Sequence, residues 1–180
     1  YLEKELLNPN NLEFNTYEWI YESGLPDNCV SIKSERLEEM KLLAEQVNEG
    51  KDIFIGENKD LKRGDHITQE WQTFIRSINT NISPERMNRI DKQLKFGTEG
   101  NPALKSDWFN LAVKSGNKTL RPQIDQYLNK IGRRWYIELI YQSLKDSKDP
   151  SDLEFARDVF SRAKLNYHFV SRSTIGDIIL

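Results

Sequence analysis

Residues 83–97 read SPERMNRIDKQLKFG. Ser83 is a capping side chain, and Pro84 suits the first helical position because the N–H it lacks is one a helix leaves unpaired there. Met87, Ile90 and Leu94 then recur at steps of three and four, the spacing that lays an apolar stripe along one face of a 3.6-residue helix. Gly97 follows, where a residue able to take positive φ can close the helix. The same punctuation appears downstream. Asn101-Pro102 precedes Leu104, Trp108, Leu111 and Ala112, and Asp149-Pro150 precedes Leu153, Ala156, Phe160 and Ala163. Upstream, Thr68 is the expected cap of a helix carrying Trp71, Phe74, Ile75 and Ile78, and Gly50, Gly116 and Gly132 are expected to end helices as Gly97 does.

Further stripes fill the chain: Leu37, Met40, Ala44 and Val47; Leu120, Ile124, Tyr127, Leu128 and Ile131; Tyr136, Ile137, Ile140 and Leu144. From Thr68 onward, helix starts are expected near residues 68, 83, 101, 119, 133, 150 and 171, a period of about 17. Two such helices make a unit of about 35 residues, within the range of paired-helix repeats that stack into solenoids. Helices this short bury their stripes most readily against immediate neighbours. An antiparallel or irregular helical bundle is the competing architecture. Ile53-Phe-Ile55 is too short and isolated to found a sheet, and residues 51–67 (KDIFIGENKDLKRGDHI) read as a long charged loop.

Composition excludes several function classes. With 37% hydrophobic and 30% charged residues among 180, the chain fits one globular domain, or one domain with a short attached segment. A mean hydropathy of -0.71 and no long apolar run leave no membrane span. One Cys permits no internal disulfide. His66 and His168 are far apart and neither belongs to a His-Glu-x-x-His arrangement, so no zinc site and no catalytic residue is expected in this chain. Cys29, without a nearby His, reads as a small hydrophobe, and Glu38-Glu39 as part of a solvated helix face. Net charge is only -2, so no global field draws the chain to nucleic acid or to a membrane. That balance hides an asymmetry, with -8 over residues 1–60 and +6 over 61–180. Solvated helix faces account for this more readily than the sharper alternative, a basic half facing an anionic ligand or an acidic partner. The chain opens mid-pattern, Tyr1 to Leu7 reading as the last turns of a helix without initiator Met or signal peptide, as a fragment would.

One segment conflicts with its local context. In Lys130-Ile-Gly-Arg-Arg-Trp-Tyr136 two adjacent guanidinium groups open a helix, where a cation opposes the positive end of the macrodipole unless an anion offsets it. Arg133 and Arg134 are therefore candidate anion-binding residues. The plainer alternative is that they point into water or pair with a neighbouring helix. Trp108, Trp135, Tyr136 and Tyr141 fall at helical spacing and are expected in the core rather than as a base-stacking surface.

Taken in order, Tyr17-Glu-Trp-Ile-Tyr-Glu-Ser-Gly-Leu-Pro26, Trp108-Phe-Asn-Leu111, Gly132-Arg-Arg-Trp-Tyr136 and Tyr167-His-Phe-Val170 resemble the carboxy-terminal part of zinc aminopeptidases of the leukotriene A(4) hydrolase type. The resemblance implies an all-α, armadillo-like right-handed superhelix of short paired helices. It also implies a division in which residues 1–22 are the tail end of an upstream catalytic domain. Residues 23–67 are then a linker, first long helix and loop, and residues 68–180 the helical-repeat domain. By position, Arg133 falls on the family's Arg that binds the free carboxylate of a substrate peptide, a role suited to a planar fork. Arg134 is a second candidate, one residue from the family's second cation, a Lys whose place Trp135 occupies. The family's His-Pro near the end is His168-Phe169. The resemblance further implies a parent enzyme whose zinc lies in the upstream catalytic domain. This chain would wall the cleft beside that domain and help hold a short peptide. Cytoplasm and periplasm are both compatible. A non-enzymatic helical scaffold binding protein partners would share every stripe described above. An RNA-binding solenoid fits less well, since Lys and Arg are interspersed with acids.

Overall fold

The computed structural model describes residues 16–26, 29, 33–98 and 100–180. The chain divides into two compact units, residues 1–34 and residues 35–180. Within the first, α1 spans Thr16–Tyr21, and the rings of Tyr17 and Tyr21 lie 5.1 Å apart on one helical face. The helix end expected over residues 1–7, and most of the 1–22 segment, lie outside the described residues.

The second unit is entirely helical among the described residues. Its helices are α2 (Glu35–Asn48), α3 (Thr68–Ser77), α4 (Pro84–Leu94), α5 (Pro102–Lys114), α6 (Arg121–Lys130), α7 (Arg134–Asp146), α8 (Pro150–Ala163) and α9 (Phe169–Ile179). From α3 to α9 successive starts are 13 to 19 residues apart, which is the expected rhythm. The three Pro-marked starts are capped as their sequence requires: Ser83 Oγ accepts from Arg86 N at 3.3 Å, Asn101 Oδ1 from Ala103 N at 2.9 Å, and Asp149 Oδ1 from Ser151 N at 2.9 Å.

Packing follows alternation along the chain. Helix α2 packs on α3, α3 on α5, α5 on α7 and α7 on α9, while α6 packs on α8, and α8 meets both α7 and α9. The odd-numbered helices thus form one row, with α6 and α8 forming a second row beside it. Three hydrogen bonds fix the direction of the odd row: Asn101 Nδ2 to Thr68 Oγ1 (2.9 Å), Ser106 Oγ to the Tyr136 carbonyl (2.8 Å) and Ser171 Oγ to the Gly132 carbonyl (3.0 Å). Each joins one helix start to the next, so α3, α5, α7 and α9 run parallel with their amino termini along one edge. Helix α5, at the centre of the row, buries Leu104, Trp108, Phe109, Leu111, Ala112 and Val113, nearly its whole circumference. Trp71, Phe96 and Trp108, all fully buried, form a chain of ring contacts 5.2 and 5.3 Å apart that ties α3 to α5 through the turn after α4.

Several expected boundaries are set by other residues. Helix α3 begins at Thr68 itself, and Glu70 rather than Thr68 covers its free end, its carboxylate accepting from Ile67 N at 3.1 Å. Gly50 (φ 92°) and Gly116 (φ 71°) take the left-handed backbone that ends α2 and α5. Gly97 and Gly132 do not. Helix α4 closes at Lys95, φ 55°, two residues before Gly97. The absence of a Cβ, not backbone freedom, accounts for the latter two: one added at Gly97 would meet the Asp91 carboxylate at 3.2 Å, and one at Gly132 the Asn166 carbonyl at 3.3 Å. Residues 51–67 are more ordered than a bare loop. They carry two short 3₁₀ turns, Gly56–Asn58 and Arg63–Asp65, bury Ile53, and offer the Arg63 carbonyl to Trp71 Nε1 at 2.7 Å.

Candidate functional site

Arg133 is the residue before the first turn of α7, in extended conformation (φ -71°, ψ 114°), and Arg134 is the first helical residue. Both are exposed. The Arg133 guanidinium carbon lies 5.1 Å from the centre of the Tyr136 ring, one turn along the helix, a cation–π contact that orients the fork without neutralising it. No carboxylate among the described residues pairs with Arg133. Arg134 instead approaches Glu138 on its own helix, Nε to Oε2 3.8 Å, a solvated i,i+4 pair. Arg133, the cap residue of α7, makes no side-chain capping hydrogen bond. The first amides taken up are those of Tyr136 and Ile137, both bonding to the Arg133 carbonyl, and those of Arg134 and Trp135 have no partner among the described residues.

The segment that carries Arg133 is pinned from α9 and the turn before it. Tyr167 Oη donates to the Leu128 carbonyl at 2.7 Å, so a buried hydroxyl satisfies one of the carbonyls that α6 leaves unpaired at its end. Tyr141 Oη on α7 lies 3.2 Å from the same hydroxyl. Burial pushes the Tyr167 hydroxyl up to about 12, partly offset by Tyr141, and pushes Tyr141 further still, so both stay neutral. Ser171 Oγ holds the Gly132 carbonyl, and Ser106, 3% exposed on α5, holds that of Tyr136. Gly132 admits the Asn166–Tyr167 backbone at a distance that leaves little room for a side chain. The fold therefore brings Gly132-Arg-Arg-Trp-Tyr136 and Tyr167-His-Phe-Val170 together. Trp108-Phe-Asn-Leu111 contributes mostly to the core. Sequence reasoning singled out Tyr167 only as part of a motif and did not find Ser106 or Ser171, since a serine that binds a distant carbonyl has no local signature.

Trp135 does not enter the core. It is 76% exposed, whereas Trp108, Tyr141 and Ile137 are fully buried. The buried positions of α7 are 137, 140, 141, 143 and 144, and Trp135 lies off that stripe. It lines an open groove of about 610 Å³ together with Arg76 of α3, Asp107 and Asn110 of α5, and Leu139 and Gln142 of α7. Asp107, 5% exposed, is held there by Arg76 Nη2 at 3.0 Å and Gln72 Nε2 at 2.8 Å.

The histidines are occupied elsewhere. His66 Nδ1 sits 3.0 Å from Glu70. Burial works against ionisation of Glu70, but the Ile67 amide, His66 and Arg36 together outweigh it and hold its carboxyl below the ordinary range. His168 Nδ1 accepts from Val170 N at 3.4 Å as the cap of α9. Among the described residues no group of three or more His, Cys, Asp or Glu side chains could hold a metal ion, so these residues do not fit a zinc site. Likewise, no described helix is long and apolar enough to cross a membrane.

Residues 67–179, from just before α3 to the last residue of α9, match the family model described as Leukotriene A4 hydrolase, C-terminal.

Proposed function

The chain belongs to the leukotriene A4 hydrolase C-terminal family, a helical domain of zinc-aminopeptidase-type enzymes, and on that premise we propose that Arg133 binds the free carboxylate of a short peptide at the edge of the enzyme's cleft. The observation that carries this reading is the state of Arg133 itself. It is an exposed guanidinium with no acidic partner among the described residues, at the start of one helix in a row of four parallel helices, where its own side chain makes no capping hydrogen bond. A carboxylate there would meet the fork bidentately and also the open amides of Arg134 and Trp135, where the macrodipole favours negative charge. Tyr167, Ser171 and Ser106 hold the backbone on both sides of Arg133, so the cation is presented by a rigid element. This supports orientation of substrate rather than bond-breaking chemistry.

In this reading the partners are the upstream catalytic domain, which supplies zinc and the general base, and a short peptide bound between the two. Trp135 stands where the family has its second cation, so the carboxylate is held by one fork rather than by a two-cation clamp. Arg134 is drawn toward Glu138 and does not replace the missing charge. The test is made on the full-length enzyme carrying this chain. Arg133→Ala should lower kcat/KM for free-acid peptides roughly tenfold to a hundredfold and leave amidated peptides nearly unchanged, with Arg133→Lys intermediate. Equal losses on acids and amides would show that Arg133 acts through the fold and would overturn the reading.

A further inference from the structure

The Glu70 carboxylate, 4% exposed, can only accept hydrogen bonds, and it takes Arg36 Nε at 2.8 Å, Arg36 Nη2 at 3.0 Å and the Ile67 amide at 3.1 Å. Its contact with His66 at 3.0 Å therefore puts the imidazole proton on Nδ1. The other ring nitrogen, Nε2, has no partner among the described residues and is not sealed from solvent. His66 lines a cavity of about 450 Å³ between the Arg63–Asp65 turn, the start of α3 and the turn after α4. A buried carboxylate that fixes one nitrogen and leaves the second open sets a histidine up to meet a ligand.

The rest of the lining selects the kind of ligand. Lys62, Arg63 and Lys95 contribute to it, and no described Asp or Glu does. Arg63 and Lys95 have contacts of their own and add to the local positive potential. Lys62 is exposed and makes no ion pair with a described acid. Thr68 Oγ1 accepts from Asn101 Nδ2 at 2.9 Å and donates to no described residue, so its own proton is unspent. The turn is firmly held. Asp65 takes the Lys62 amide at 2.7 Å, Trp71 Nε1 donates to the Arg63 carbonyl, and the Arg63 guanidinium lies too close to Gly100 for any Cβ there. Trp71, Leu94 and Leu104 supply the apolar part of the wall.

We propose that this cavity binds the phosphate group of a small phosphate monoester, with Lys62, Thr68 and protonated His66 as donors and the carbon portion of the ester against the apolar wall. The site does not depend on the role of Arg133. A phosphate dianion offers acceptor oxygens out of one plane, which suits separate point donors better than a planar carboxylate does. The ion fills only a fraction of the space, and the ester takes up the rest. The charged groups around His66 are Glu70 of α3, Arg36 of α2, Lys62, Arg63 and Asp65 of the turn, and Lys95 after α4. Histidine is the side chain that changes charge near neutral pH, so the site gains its third donor on acidification and loses it as pH rises.

The chain has two histidines, and His168, the cap of α9, serves as an internal control. Histidine ring resonances of the full 180-residue chain are followed by nuclear magnetic resonance during titration with sulfate, inorganic phosphate and phenyl phosphate at constant ionic strength. Each should shift His66 saturably and leave His168 in place, with phenyl phosphate bound at least as tightly as inorganic phosphate. Sulfate keeps its charge between about pH 6 and 8, so its affinity should fall about tenfold over that range in the parent and stay level in His66→Gln. Lys62→Ala should weaken all three ligands about fivefold. His66 resonances that do not move, or that move together with those of His168, overturn the proposal. So does a sulfate affinity that ignores pH in the parent or is unchanged by Lys62→Ala. Binding of sulfate and inorganic phosphate without phenyl phosphate overturns the ester as the ligand.

Discussion

Replacing Asp152 by Ala would remove the centre of a buried polar cluster that ties α6 to α8 and closes the turn between α7 and α8. The Asp152 carboxylate, with its side chain 8% exposed, accepts from Arg121 Nη2 at 2.6 Å and from Ser147 Oγ at 2.6 Å. Arg121 also lies over the Phe155 ring at 5.1 Å. Breaking a buried ion pair by removing one partner costs about 3–5 kcal/mol, because the other charge is left in a poorly solvated place. Arg121 is a quarter exposed and retains Ser151 Oγ at 2.8 Å, so part of its charge can be rehydrated and the lower end, about 3 kcal/mol, is expected. For a chain of this size that corresponds to a melting temperature lower by about 6–12 °C. Urea and thermal unfolding followed by far-ultraviolet circular dichroism would measure it, with Lys41→Ala as the control. Lys41 and Glu38 form an exposed pair on α2, worth at most about 0.5 kcal/mol. Added salt should abolish the control effect and leave most of the Asp152 effect. A loss for Asp152→Ala no larger than for Lys41→Ala would refute the argument that burial, rather than the presence of an ion pair, sets the value of these contacts.

Tyr167→Phe should cost about 2 kcal/mol, since it leaves both the Leu128 carbonyl and the Tyr141 hydroxyl without their buried partner; faster hydrogen exchange at the end of α6 would check the location, and an unchanged unfolding midpoint would contradict it. Asp91→Asn tests the opposite kind of buried group. Burial raises the Asp91 carboxyl above its ordinary range, only partly offset by the Gly97 amide at 2.7 Å, so the folded state holds its proton more tightly than the unfolded state does. Stability from this group is therefore present below the unfolded pKa and lost as pH rises through the folded one. Relative to the parent, Asp91→Asn should gain stability as the pH climbs through that window, and urea midpoints that keep a constant difference across it would contradict the sign.

The starts of the helices were legible because they are local. Ser83, Asn101 and Asp149 each cap a helix through an amide two or three residues away, and a short string of sequence contains everything the contact needs. The ends were legible only in part, because a glycine signals two different things. Gly50 and Gly116 supply left-handed backbone, but Gly97 and Gly132 supply the space of a missing Cβ, and what fills that space comes from Asp91 in one case and from residues over thirty positions away in the other. Lys95 took the left-handed position that Gly97 was expected to take. Trp135 was misplaced because aromatic residues near an apolar stripe are usually part of it, whereas its own phase puts it outside. Arg133 and Arg134 stood out in the sequence as a conflict with the helix dipole, but only the fold separates them, pairing Arg134 with Glu138 and leaving Arg133 to its ring contact with Tyr136. The Trp135 groove, which needs three helices, had no signature in any one of them.

The hold on the Arg133 segment also sets an order of events. Tyr167 reaches back 39 residues to Leu128, and Ser171 reaches back 39 to Gly132. While the chain is being made, the α6–α7 connection emerges well before the residues that fix it, and until α9 docks its guanidinium is carried by a loose tether. Loss of the chain from Tyr167 onward would leave most of the helical row able to form, yet it would return this connection to that unfinished state. A stable, helical, truncated protein with a misaimed cation is thus a distinct outcome from an unfolded one, and spectroscopic tests of helix content alone would not tell it from the intact domain.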